Sequence, residues 1–107
     1  MANRYWVGGT ADWNATAGTK WSLTSGGTGD QAVPIAADDV FMDAASGTVT
    51  VTVATATGVC RSFNATGFTG SLVISAELDI GDGTVGHFTL GSGMGTVTGV
   101  NIVKFIS

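Results

Sequence analysis

From Gly47 to Thr55 the chain reads GTVTVTVAT, with Val49, Val51 and Val53 at alternate positions and Thr48, Thr50 and Thr52 between them. Successive side chains of a strand point to opposite faces, so this stretch predicts a strand with valines inward and threonines outward. The same period recurs in shorter form. DDVFMDA (38–44) puts Val40 and Met42 on one face and Phe41 on the other. VCRSFNAT (59–66) reads as one strand, with Val59, Arg61 and Phe63 on one side and Cys60 and Ser62 on the other. GSLVISAELDIGDG (70–83) pairs Leu72 with Ile74 and Leu78 with Ile80. VGHFTLGSG (85–93) and GTVTGVNIVKFIS (95–107) continue the series. Turn sequences separate these runs: SGGTGD, AASG, ATGFTG, IGDG and GSGMG. Strands recurring every 8–12 residues or so predict an all-β sandwich, barrel or solenoid. No window carries apolar residues at helical spacing over three turns.

The 107 residues make one small domain with two textures. Residues 36–107 are strand–turn repeats, and TGFTGSLVI and VGHFTLGSG look like two copies of one unit. Loose short-period repetition of this kind suits a short β-solenoid whose circuits stack in register, and a short antiparallel β-sandwich fits nearly as well. Residues 1–35 are loop-like and hold all three tryptophans, Trp6, Trp13 and Trp21. Their spacing of seven and eight would align them on a helix, but the intervening VGGTAD and NATAGTK lack helix formers. An irregular segment whose three rings close the open end of a sheet or solenoid is the simpler expectation, because an uncovered end exposes edge strands and core. A sharper one keeps some rings free as partner contacts, and a third stacks them on sugars.

Charge narrows the function classes. Charged residues are 11% of the chain, against about 25% in an average domain. With four Lys and Arg against eight Asp and Glu, the net charge is −4. No basic patch is available for phosphates or for an anionic membrane surface, so neither nucleic acid nor membrane is an expected partner. No apolar run approaches the roughly 18 residues of a membrane-spanning helix. MANRYW has no signal-peptide core, so synthesis in a cytoplasm without export is expected. A surface this poor in charge suits a protein that lives in an assembly.

Chemistry is sparse. Cys60, the single cysteine, has no partner for a disulfide and reads as a buried small hydrophobe. Nothing in sequence links it to His87, the only histidine. Asp38, Asp39 and Asp43 lack the EF-hand order and read as a solvated turn. DIGDG (79–83) reads as a hairpin turn on its Asp-Gly. Glu77 and Asp79 share a strand face at a separation a glycosidase pair would tolerate, but the spacing is unspecific and no cleft follows from it. GDGTVG lacks the lysine and helix of a phosphate loop. No enzyme activity and no cofactor is therefore expected.

RYWVGGTADWNATAGTKWS, VPIAADDVFMDAASGTVTV, CRSFNATGFTGSL and FTLGSGM together resemble a class of tailed-bacteriophage virion proteins. Those proteins share a Tyr-Trp-Val-Gly-Gly start, two further tryptophans, an Ala-Asp-Asp-Val segment and Gly-rich β repeats. The resemblance covers most of the chain, from Arg4 to Met94. It implies a structural protein of the virion surface that decorates or cements the capsid against the major capsid protein or other virion proteins. It also implies a homotrimer. The head or anchoring domain of a fibre, or a carbohydrate- or receptor-binding module, is the alternative. The expected contact residues are Tyr5, Trp6, Trp13 and Trp21 at the start, and Val100, Ile102, Phe105 and Ile106 in a tail that otherwise forms a last core strand.

Overall fold

The computed structural model describes residues 2–16, 18–84 and 86–106. In chain order its strands are β1 (Asn3–Trp6), β2 (Ala11–Asp12), β3 (Trp21–Ser22), β4 (Asp39–Phe41), β5 (Thr50–Val53), β6 (Gly58–Cys60), β7 (Ser62–Asn64), β8 (Ser71–Ile74), β9 (Leu78–Ile80), β10 (His87–Thr89), β11 (Val97–Thr98) and β12 (Val103–Phe105). Single 3-10 turns at Ala44–Ser46 and Val100–Ile102 are the only helical pieces among the described residues. The chain is all-β.

The strands form three sheets, in the orders β10-β7-β4-β1-β3, β11-β8-β5-β2 and β12-β9-β6. From β4 onward the chain visits the three sheets in turn, and each strand except β6, which begins its sheet, pairs with the one a circuit earlier. These ladders are parallel; among the described strands only β1 and β3 pair antiparallel, with one further antiparallel bridge from Trp21 to Gln31.

Alternation along each strand and register between strands together build the core. Val40 aligns with Phe63 and Phe63 with Phe88. Val51 aligns with Leu72 and Leu72 with Val97, Val53 with Ile74, and Cys60 with Ile80. Apart from Phe88 and Val97 in the last circuit, all of these are buried. Val49, Val51 and Val53 turn inward as their alternation predicts, although Val49 precedes the strand and is only partly covered.

VCRSFNAT does not form one strand. Arg61 is a corner, its N–H donating to the Asp38 carbonyl at 2.6 Å, and the chain passes there from β6 on one sheet to β7 on another. Cys60 and Phe63 therefore both face inward, and Val59 is left outside. DIGDG is likewise no hairpin: it joins β9 to β10 on a different sheet. Gly81 lies in it at φ 125°, and a Cβ there would strike the Ile106 carbonyl oxygen. The repeat is also offset from the one read in the sequence. Phe88 stacks over Phe63, not over Phe68. The matching units are thus Phe63–Leu72 and Phe88–Val97, of equal length.

The N-terminal segment does more than cap. β1 and β2 pair in parallel with β4 and β5 and so extend two of the sheets. β3 then folds back against β1, setting Trp6 opposite Trp21. Trp6, Trp13 and Trp21 are each 0% exposed. Trp21 meets Trp6 and Trp13 edge-on, with ring centroids 5.0 Å apart in both pairs. Trp21 Nε1 donates to the Trp13 carbonyl and Trp6 Nε1 to the Gly9 carbonyl. Gly58 makes room for this cluster, since a Cβ there would sit 3.4 Å from Trp13 Nε1 and 3.1 Å from Leu78 Cδ1. Rings of this size bury roughly 150–250 Å² each, a gross gain of about 4–6 kcal/mol per ring at 25 cal/mol per Å².

Trp21→Ala removes the ring that joins the other two and is expected to destabilise the chain by about 3–5 kcal/mol in urea unfolding. Phe105→Ala, at the other end of the sheets, is expected to cost under about 1 kcal/mol in dilute solution.

Candidate functional site

The last circuit stands apart from those before it. β10, β11 and β12 each pair with a strand on one side only, so each leaves a row of backbone N–H and C=O groups unpaired by strand. Their inward positions are also uncovered. Phe105 aligns with buried Ile80 and Cys60 yet is 55% exposed. Phe88 is half-buried: it stacks on Phe63 at 5.3 Å and meets Phe105 edge-on at 6.5 Å. Val103 and Val97 are half-buried in register over Leu78 and Leu72. Leu90, directly after β10, and Val100 are exposed. These residues have the alternation of a core without a layer above it.

The expected contact residues fall into two groups. Trp6, Trp13 and Trp21 lie wholly inside, so they offer no surface to a partner; their size serves the core. Tyr5 is half-buried on the outer face, stacked on Phe41 at 4.8 Å. Phe105 and Val100 are exposed at the open end. Ile102 and Ile106 are half-buried beside them, Ile102 packing against the core and Ile106 donating its N–H to the Ile80 carbonyl. The sequence reading omitted Phe88, Leu90, Val97 and Val103. Equal spacing from Phe63 to Leu72 and from Phe88 to Val97 is the signal that would have found two of them.

The remaining exposed large hydrophobics, Leu23 and Ile35, lie in the segment between β3 and β4. The flank formed by β2, β5, β8 and β11 carries hydroxyls, with Val73 half-buried among them: Thr50 and Ser71 are in register, and the Thr48 and Thr69 hydroxyls are 2.7 Å apart.

The carboxylates are tied into the fold. Asp38 is buried and accepts from the N–H groups of Ala2 and Ile35. Asp39 forms a two-pronged pair with Arg61 at 2.8 and 2.7 Å and accepts the Ser62 hydroxyl. Asp43 caps the 3-10 turn and accepts the Ser25 hydroxyl. The expected solvated turn is thus a set of hydrogen-bonded anchors. Among the described residues no three His, Cys, Asp or Glu side chains are grouped to hold a metal. Asp12 accepts from Asn14, Ala54 and Thr55; burial raises its pKa, but these bonds outweigh it and hold the carboxyl below its ordinary value. Burial first, then the Asp39 charge, pushes the Cys60 thiol well up, which leaves it unreactive.

An open groove of about 420 Å³ lies between Ala36–Ala37 and Val59, Asp79, Gly81, Asp82 and Ile106. Beside it, exposed Glu77 is raised above its ordinary pKa, chiefly by a hydrogen bond to Asp79. The two therefore interact as their spacing suggests, but Glu77 does not line the groove.

Family models, curated proteins and solved structures were each searched with this chain, and none gave a match.

Asp39 is held below its ordinary pKa, first by the Arg61 hydrogen bond. A carboxyl lowered in the folded state stabilises the fold above its unfolded pKa, and that contribution is lost as acid protonates it. Asp39→Asn is therefore expected to cost on the order of 1.5 kcal/mol at neutral pH. The difference from the parent should shrink below about pH 4 in urea titrations run from pH 7 to pH 2.

Proposed function

We propose that this chain is a structural virion protein of a tailed phage, a short parallel β-solenoid that decorates or cements the capsid surface. The observation that carries the reading is the distribution of exposed large hydrophobics. They occur at Leu23 and Ile35 in the segment between β3 and β4 and at Leu90, Val100 and Phe105 in the last circuit. A cementing part needs a contact at more than one place on a stiff body. The parallel ladders supply the stiffness, and they favour a solenoid over an antiparallel sandwich. Low charge suits docking by shape and apolar contact. The sequence resemblance supplies the virion context. The proposed site of action is the outer surface of the shell, with the shell protein as partner, and the role involves no catalysis.

The anchoring head of a fibre is the second reading, and one observation favours it. Parallel edges at β10, β11 and β12 are the surface onto which a further circuit would add. A sugar-binding role draws less support, because the three indoles that would stack on a sugar lie inside the core.

Co-sedimentation with phage shells lacking this protein tests the proposal. Saturable binding at a fixed ratio to the shell protein, weakened at least tenfold by Leu23→Asp or Ile35→Asp in a folded chain, is the expected result. No binding to any such shell at micromolar concentration would remove the decorating role.

A further inference from the structure

We infer that the open groove beside Val59 and Asp79 receives a lysine side chain from a partner protein. The inference concerns a contact of its own and stands apart from the shell-binding reading. Shape, charge and one buried oxygen carry it.

The groove lies on a flank that successive circuits build. Val59 of β6 and Asp79 of β9 are outward residues in register, and both line it. Ala36 and Ala37 border it from the segment before β4, and Gly81 and Asp82 from the corner after β9. Of these lining residues only Ile106 comes after β10. Ala36, Ala37, Val59 and Ile106 offer aliphatic carbon, and Asp79 and Asp82 offer carboxylates. An aliphatic wall joined to carboxylates matches a side chain that is aliphatic along its stem and cationic at its tip.

Asp79 lacks a donor. Its Oδ1 is buried and accepts no hydrogen bond from a described N–H or O–H group. A buried carboxylate oxygen in that state is costly. The group that leans on Asp79 is another acid. Glu77 is held above its ordinary pKa first by a hydrogen bond with Asp79, then by burial and the Asp79 charge, with Lys104 opposing. That bond exists only while one of the two acids keeps its proton, so it fails when both are ionised. The chain's own cations do not replace it. Arg61 gives two N–H bonds to Asp39. Exposed Lys104 is in register beside Asp79 and makes no bond to the buried oxygen. The Asp82 carboxylate is fixed by the Thr84 N–H at 2.9 Å. An ammonium entering the groove brings the donors and the positive charge that Asp79 is missing.

Openness decides the kind of occupant. Sites for small molecules bury most of the ligand's surface. A free amine in this groove would stay largely in water, whereas a side chain carried by a partner gains further contacts around the rim. Lysine suits it better than arginine, whose planar fork seeks two oxygens side by side. Asp79 offers a single buried one.

The test is an NMR titration of the isotope-labelled full chain at low salt with the peptide acetyl-Gly-Ala-Lys-Ala-Gly-amide. The same peptide with norleucine for lysine is the neutral control, and n-butylammonium is the free amine. Expected are saturable shifts of the Val59, Gly81 and Asp82 amides at millimolar lysine peptide, with binding of the norleucine peptide at least tenfold weaker. Asp79→Asn should weaken lysine-peptide binding at least tenfold. Ala36→Leu, which fills the groove from an exposed position, should weaken it at least fivefold. Asp30→Asn removes a charge outside the groove and should leave it unchanged. Circular dichroism confirms that each variant is folded. No saturable shift up to tens of millimolar, equal binding of the norleucine peptide, or shifts that survive both Asp79→Asn and Ala36→Leu would overturn the inference. Binding of n-butylammonium as tight as that of the peptide would assign the groove to a free amine and overturn it as well. None of these outcomes bears on whether the chain binds shells.

Discussion

Register between parallel strands is the constraint on which the rest of the structure depends. Each inward residue sits beside the equivalent residue of the circuit before it, so the core is a set of apolar columns: Val40–Phe63–Phe88, Val51–Leu72–Val97, Cys60–Ile80–Phe105. A slip of one residue would turn a column outward, which is why alternation in the sequence is kept where the strands are kept. Columns also mean that every layer depends on the next. Ile80, between Cys60 and Phe105, is buried, whereas Phe105, with a strand on one side only, is 55% exposed.

The two ends resolve that dependence in different ways. At the start, three indoles and an antiparallel strand complete the core. Trp6 and Trp21 have their N–H groups bonded to carbonyls, while Trp13 Nε1 is buried without a partner. Leaving a buried donor unbonded costs about 1–3 kcal/mol, so packing and area must outweigh it. At the last circuit nothing comparable is present among the described residues. The exposed apolar surface lies there, whereas Asp12, Asp38, Asp39 and Asp43 hold backbone or side-chain donors within the fold, and Cys60 is buried in the core.

Local period was legible in the sequence, and corners were not. Alternation placed Val51, Val53, Leu72, Ile74, Leu78 and Ile80 inward. It failed between Val59 and Phe63, where one continuous pattern hides a change of sheet at Arg61, because the corner is made by a bond from a residue far back in the chain, Asp38. Asp-Gly at 82–83 suggested a hairpin on local grounds, whereas the choice of a parallel partner depends on strands that are distant in sequence. The burial of the tryptophans followed from their size. Their place in the sheets did not, since β1 and β2 are too short to show a period. The open end was half-legible: the apolar tail was evident, but Phe88, Val97 and Val103 become members of that surface only once the columns are known.

The central claim is that the core is covered at the tryptophan end and left uncovered at the last circuit. Backbone amide hydrogen exchange of the dilute monomer tests it most directly. Strands paired on both sides, β1, β4, β5, β7, β8 and β9, should exchange most slowly, β1 being protected through β3 and the indoles, and β10, β11 and β12 should exchange faster than these. Exchange in β1 as fast as in β12, or uniform slow exchange through β10, β11 and β12, would contradict the claim.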